Sequence, residues 1–579
     1  MSLIINNDAK CLDCYKCVRY CPVKAISVQN DQEGKIQVKV IEECCIHDGL
    51  CISVCPQKAK TVSSCLNEVK ELLLKKTATV VASVAPSFPA ALPLAVPELF
   101  PAALKELGFN YVEQTSVGAE LIAEKQLHLN AQRPVISSAC PVVINLVEQY
   151  YPHLIPYLSP LVSPMIAHCR YIKNRYPDCI TVFIGPCIAK MGEALSEEVK
   201  GAVDFVLGFN EVWEWIREDN PDWQAMAAEG FDGYTPGPAR FFPLEGGQLL
   251  ASYMSTDLMA RDVQAISGLD NCITLLKNFT SNLDQRPAFT ELLACSGGCL
   301  GGPAGVSGED IYVKRSKMMV FYRQENQKSS EQGTKPLLPD ALLYRAYKDR
   351  QVHLPVPDEA QIKKILSSTG KQKPEDELNC GACGFDTCQE KAVAVHQGRA
   401  ELQMCLPYMR KNAETLSDMV LQSLPAGVLI VGEDLSIQQL NPMAEKIFDC
   451  TSSVLGQPLE LLFDPEPFRL ALQEMTINES LCHLNENKAI KYIIIPLGQQ
   501  KAMGVFTDIT DGLRQQKELQ QVKSQTILRA QEVIKKQMTV AQVIAGLLGE
   551  TTAETKVHLN QLIKLMEADT LGQEERNDL

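Results

Sequence analysis

The stretch ELLACSGGCLGG (Glu291–Gly302) decides how this chain is read. Cys295 and Cys299 are separated by three residues and flanked by small ones: Ala294, Ser296, Gly297, Gly298, Gly301 and Gly302. Glycine lets backbone approach a bulky group and adopt dihedrals that a side chain forbids. Two thiolates so placed suit an iron–sulfur cluster better than a disulfide. Two further cysteines sit in comparable surroundings, Cys140 in SSACP (Ser137–Pro141) and Cys187 in GPCIAK (Gly185–Lys190), each just after an apolar, strand-like run. Thiolates from three loops can complete a four-iron cluster.

These three segments resemble the active-site signature of the [FeFe] hydrogenases. The resemblance implies that Cys140, Cys187, Cys295 and Cys299 hold the cubane, with the Cys299 thiolate also bridging to a two-iron subsite that carries CO, CN and a bridging dithiolate. It implies that Lys190 donates to one cyanide and Ser87, in VAPSF (Val84–Phe88), to the other. The departures are specific. Ala139 stands where the family has its proton-relay cysteine, Gly185 and Leu293 replace two methionines, and Ser137 replaces a threonine.

The N-terminal segment carries two further runs. Cys11-x2-Cys14-x2-Cys17-x3-Cys21-Pro22 has the spacing of a bacterial cluster-binding motif, whose fourth cysteine serves the other cluster. The second run is Cys45-x2-Asp48-x2-Cys51-x3-Cys55-Pro56. Crosswise pairing puts one cubane on Cys11, Cys14, Cys17 and Cys55. The second falls on Cys21, Cys45 and Cys51, with Asp48 in place of a thiolate, and can therefore have an exchangeable iron or a three-iron form. Cys44 is the alternative ligand if the loop shifts, and a plain solvated aspartate is the bland reading of Asp48. Cys380-x2-Cys383-x4-Cys388-x16-Cys405 supplies four more thiolates, with a helix expected over 389–403. It resembles the small [4Fe–4S] domain of hydrogenase-related proteins; four thiolates also suit tetrahedral zinc.

Around these motifs, Val80–Val84, Val135–Ser137 and Ile180–Ile184 read as β-runs alternating with helical stretches such as Val142–Tyr150 and Ser163–Asn174, which predicts an α/β domain with parallel sheets. Ligands in such folds lie at the carboxyl ends of strands. LPAGVLIVGEDLSIQQLNPMAEKIF (Leu424–Phe448) and KAMGVFTDIT (Lys501–Thr510) resemble the start and last strand of a PAS domain, with no ligand assignable. Beyond it, Leu519, Val522, Val533, Ile534, Leu547 and Leu548 recur at helical intervals and suit a helix that pairs with its copy.

The expected organisation is multidomain α/β. A bacterial-type two-cluster ferredoxin domain covers 1–65, an α/β iron-hydrogenase catalytic domain 66–370, a small four-cysteine domain 371–412, an α+β PAS domain 413–511 and a C-terminal helical, coiled-coil signalling region 512–579. The net charge of −15 argues against nucleic acid as a partner. Pro86, Pro89, Pro93, Pro97 and Pro101 deny the apolar stretch 78–104 a membrane helix. With no leader read after Met1, the 22 cysteines suit metal binding in a reducing cytoplasm. Cys65, Cys169, Cys179 and Cys272 are expected to be structural thiols.

The function expected from the resemblance is slow, reversible interconversion of dihydrogen with protons and electrons, used for sensing. The redox partner would be ferredoxin-like, and the signal would pass through a PAS-mediated homodimer to another protein. The alternatives are an iron–sulfur electron carrier without the two-iron subsite, and a conventional hydrogenase with a rerouted proton path.

Overall fold

The structure is a computed structural model, and it describes residues 3–30, 36–129, 133–220, 222–257, 259–281, 283–328, 335–485, 488–498, 500–548 and 556–564. Two compact units divide the chain, 1–409 and 410–579.

The first unit opens with two small antiparallel ribbons. β1 (Ile4–Asn6) pairs with β4 (Lys60–Val62), and β2 (Ile26–Asn30) pairs with β3 (Ile36–Val40). The two cysteine runs lie between these strands, each ending in one short helix, Lys16–Tyr20 or Leu50–Ser53. Val18, Ile26, Val28 and Val38 bury their side chains here together with Phe385, which comes from the third cysteine segment. The helix expected over 389–403 is shorter, Cys388–His396. It starts where the Thr387 hydroxyl accepts the Glu390 N–H at 3.0 Å. It ends before Gly398, whose φ of 66° is incompatible with continuing the helix. A 3-10 turn, Leu402–Met404, carries the chain to Cys405 instead.

Two parallel sheets form the centre of the unit. β5 (Val80–Val84), β6 (Tyr111–Gln114), β8 (Ile180–Gly185) and β9 (Phe205–Gly208) lie in the order β6-β5-β8-β9. β7 (Val135–Ile136), β10 (Val263–Ser267) and β11 (Phe289–Leu293) lie in the order β10-β11-β7. Every residue of β5 and β11 is buried, as parallel strands covered on both faces require. The proline-rich stretch supplies β5 and two short buried helices, Phe88–Ala91 and Leu99–Glu106. Cys169, Cys179 and Cys272 are buried among apolar side chains, and the Cys65 thiol donates to the Val206 carbonyl at 3.3 Å.

In the second unit, β12 (Gly427–Val431), β13 (Ile437–Leu440), β14 (Asn478–Asn485), β15 (Lys488–Gly498) and β16 (Lys501–Asp508) form an antiparallel sheet in the order β13-β12-β16-β15-β14. Its inner face packs on Phe463 and Phe468, whose rings meet Phe506. The helix Thr510–Leu548 follows. Residues 549–555 and 565–579 of the expected signalling region lie outside the described residues. Among the described residues no helix is long and apolar enough to cross a membrane.

Candidate active site and iron–sulfur centres

Four strands deliver the named residues to one place. β5 runs out at Pro86 and Ser87, β7 at Ala139 and Cys140, β8 at Cys187, and β11 at Cys295. The Ser137 hydroxyl accepts the Leu292 N–H at 3.0 Å, extending the β7–β11 pairing to the foot of both loops. A cavity of about 80 Å³ opens there, and its walls include Ser87, Ala139, Cys187, Lys190, Leu293 and Cys299.

Glycine makes the loop around Cys299 possible. A Cβ on Gly298, at φ +79°, would lie 2.1 Å from the Pro243 carbonyl oxygen, and one on Gly302 would lie 2.6 Å from that of Pro186. The Cys299 N–H donates to the same Pro243 carbonyl at 2.7 Å. FFPLEGG (Phe241–Gly247) therefore serves as a backbone clamp on the CSGGC loop.

The thiols sense one another. Burial pushes Cys295 well above the ordinary thiol range, and Cys187, Cys299 and Cys140 add to the effect. Burial likewise raises Cys299, with Cys140 and Cys187 next, and pushes Cys187 up to about 11, with Cys140 next. Neutral thiols crowded out of water are what metal binding converts to thiolates. The donors fit as well. The Ser87 hydroxyl is fully buried and, among the described residues, has no hydrogen-bond partner, so it is left free to serve a group in the cavity. Lys190 Nζ donates to Glu193 Oε2 at 2.7 Å and reaches the Ala139 carbonyl at 3.4 Å. Glu193 also accepts from Ser163 and pairs with Arg345 at 3.4 Å. The residues present thus fit a cluster-and-cyanide group.

Sequence reasoning missed Glu193, although its position three residues after Lys190 on one helix was a visible signal. It also missed Phe183. A Cβ on Gly185 would meet the Phe183 ring at 2.6 Å, so an aromatic ring occupies the space that a longer side chain at 185 would need. Phe183 also lines the cavity.

In the ferredoxin-like part, Cys21 is pushed up to about 11 and Cys51 up to about 12, and Cys45 is raised; burial comes first in each, and Asp48 contributes to all three. Asp48 is itself buried, which lifts its carboxyl to about 6. One oxygen accepts the Leu50 N–H at 3.1 Å, while Oδ2 has no partner among the described residues. A buried carboxylate oxygen without a partner among the described residues is compatible with a ligand role. Cys44 faces elsewhere, its thiol beside Arg399 and its carbonyl accepting the Tyr150 hydroxyl at 2.6 Å. Backbone amides support the sulfurs with the same offset in both halves: Ala25 N–H to Cys21 Sγ at 3.2 Å, and Ala59 N–H to Cys55 Sγ at 3.3 Å. Cys17 is raised by burial and senses Cys11 and Cys14.

Cys380, Cys383, Cys388 and Cys405 line one cavity with Lys371 and Lys391. Lys371 Nζ donates to Cys405 Sγ at 3.3 Å. Two lysines beside four thiols favour an anionic cluster.

The three segments touch. Arg19 donates to the Ala382 carbonyl at 3.1 Å, Lys24 to that of Gly384 at 2.8 Å, and Arg399 to that of Lys24 at 2.7 Å. On the other side, the helix Pro141–Tyr150 begins at the Cys140 loop. It ends on the ferredoxin loop, where Asn145 donates to Ile46 O, Gln149 to Cys45 O and Tyr150 to Cys44 O.

Such an assembly of cysteine sets around an α/β centre is that of a multi-cluster iron–sulfur protein. Residues 78–303 match the family described as iron only hydrogenase large subunit, C-terminal domain. Residues 10–59 match the 4Fe-4S dicluster domain, and 376–407 match a family of Fe–S cluster segments. The NADP-reducing hydrogenase subunit HndD of Solidesulfovibrio fructosivorans is 25% identical over 396 residues, 56% of this chain and 68% of that protein. Iron hydrogenase 1 of Clostridium pasteurianum is 25% identical over 402 residues, 56% and 69% of the respective chains. Among solved structures, a variant of [FeFe]-hydrogenase HydA1 from Chlamydomonas reinhardtii aligns with a TM-score of 0.40 at 19% identity, covering 50% of this chain and 100% of its own.

Proposed function

We propose that this chain is a hydrogen-sensing [FeFe] hydrogenase that turns over slowly and relays its redox state to a partner protein. The observation that carries the reading is the composition of the cavity wall. Ser87, Lys190 and Cys299 are placed to hold a two-iron group, while Ala139 offers a methyl where a proton donor would serve fast turnover. In this reading Cys140, Cys187, Cys295 and Cys299 hold the cubane. When bound, the two-iron group supplies heterolytic cleavage of dihydrogen. The protein's own share is to anchor through thiolates, donate from Ser87 and Lys190, and exclude water through Phe183, Phe242 and Met165, which line the cavity. A methyl cannot accept or release a proton, and general acid–base help is worth about 10²–10⁴-fold.

Cys21, Cys45, Cys51 and Asp48 would hold the cluster that supplies electron exchange with the one held by Cys140, Cys187, Cys295 and Cys299. The small domain, docked on Arg19 and Lys24, offers a further stop. The sheet order in 427–508 supports the PAS reading of the second unit. The solvent-exposed Leu519, Val522, Val533 and Val540 on its long helix support pairing with a second copy.

Infrared spectroscopy of the matured protein is the test. Bands from metal-bound CO and CN are expected; their absence from protein with full iron–sulfur content would leave only an electron carrier. Ala139→Cys, at unchanged bands, is expected not to lower hydrogen evolution and to raise it if proton supply limits turnover. A fall would favour the conventional enzyme with another proton route.

A further inference from the structure

We infer that a buried hydrogen-bonded chain, Thr115–Ser83–His168–Glu113, conducts protons slowly between the cavity and the surface at Tyr176 and Arg175, and so supplies the residual turnover left once Ala139 closes the direct route. The inference rests on the proposed hydrogenase reading. Thr115 lines the cavity. Its hydroxyl lies 2.8 Å from Ser83 Oγ, which in turn lies 2.7 Å from His168 Nδ1. His168 Nε2 lies 3.3 Å from Glu113 Oε2, and the other carboxylate oxygen accepts from the Tyr176 hydroxyl at 3.2 Å and meets Arg175 at 3.5 Å. Ser83, His168 and Glu113 are completely buried and Thr115 nearly so, whereas the Arg175 side chain is 41% exposed. The row therefore starts at the cavity and reaches water only at its far end.

Such a row is costly unless it is used. A histidine, a glutamate and two hydroxyls are buried together between β5, β6 and the helix Pro164–Arg175, beside a largely apolar core. The partners fix the resting tautomer. A carboxylate only accepts, so the proton sits on His168 Nε2, and Nδ1 accepts from a hydroxyl.

The transfer balances at every atom. A proton set free in the cavity bonds to Thr115 Oγ1, which passes its own proton to Ser83 Oγ. Ser83 passes its proton to His168 Nδ1, and the imidazolium releases the Nε2 proton to Glu113 Oε2. Glu113 then turns the acid hydrogen toward Tyr176, whose hydroxyl oxygen takes it and releases its own proton to solvent. The hydroxyls and the imidazole then reorient to the starting arrangement, and the reverse order delivers a proton inward. No electron moves along the row.

Two measurements on the full chain test this separately from the reading it rests on. The first needs no two-iron group: exchange of the His168 Cε1 hydrogen in deuterated water, read by mass spectrometry. Exchange of the same order as at exposed His353 is expected in the native chain, with strong suppression in Glu113→Gln and no change in Thr115→Val. A His168 that fails to exchange, or one indifferent to Glu113→Gln, overturns the inference. The second uses matured protein. Thr115→Val lowers turnover about 10²-fold with unmoved CO and CN bands, while Thr115→Ser retains it. If Thr115→Val does not fold, Ser83→Ala takes its place with the same expectation. Native turnover in the hydroxyl-free variant overturns the inference. Absent bands in the native protein would instead sink the hydrogenase reading and leave the exchange result standing.

Discussion

Glu291 and Asp48 are both carboxyls withdrawn from water, for different purposes. Glu291 spends one oxygen on the Gln248 and Leu249 amides at 3.1 and 3.3 Å, and so holds the FFPLEGG clamp against β11. Burial raises its carboxyl to about 8. Because the folded value lies above the unfolded one near 4.5, the folded state binds the extra proton between those values. Stability is then full below about pH 4.5 and declines as pH rises to 8, by at most about 1.4 kcal/mol per pH unit. Denaturation midpoints at pH 5, 6.5 and 8 should fall in the native chain more steeply than in Glu291→Gln. Asp48, by contrast, leaves one oxygen without a partner among the described residues, as a cluster ligand would. Asp48→Cys is expected to raise iron per chain and to convert any three-iron paramagnetic signal of the purified protein to a four-iron one. Identical spectra and iron content would remove Asp48 from the ligand set.

At the scale of elements, the strands and their loops were the most legible part of the sequence. Val80–Val84 and Ile180–Ile184 have runs of β-branched residues too apolar for anything but a covered parallel strand, and each ends at a named residue. The cysteine runs were legible because metal spacing is nearly independent of context. The relay row was not, since Ser83, Glu113 and His168 each interrupt an apolar pattern singly, and only tertiary contact shows that the interruptions face one another. The helix after Cys388 was overextended because nothing local to 389–396 announces that Gly398 will take a left-handed φ. In the second unit, Asn441 holds a corner by four bonds: its oxygen accepts from Val428 and Ala444, and its amide donates to Leu421 and Ala426. Asn441→Ala removes a helix cap and strands buried backbone groups, for a loss of about 2–4 kcal/mol. Native-state proteolysis of the full chain should then cut within 427–508 at lower protease concentration than before.

For the whole molecule, assembly through the helix Thr510–Leu548 makes a plain prediction. Its 39 residues span about 58 Å, and Leu519, Val533 and Val540 recur on a sevenfold spacing while exposed. Sedimentation should find a dimer for the native chain and a monomer for Val533→Asp combined with Val540→Asp; a monomer at the outset removes the pairing. Within the first unit, one helix has a larger role than its length suggests. Pro141–Tyr150 starts beside the Cys140 sulfur and is fastened at its far end to the loop of Cys44 and Cys45, about 15 Å away. Electron tunnelling weakens steeply with separation, and a rigid rod tied at both ends acts as a yardstick between donor and acceptor. Thermal breathing of the domain boundary would then leave the separation of the two cysteine sets, and any transfer rate that depends on it, nearly constant.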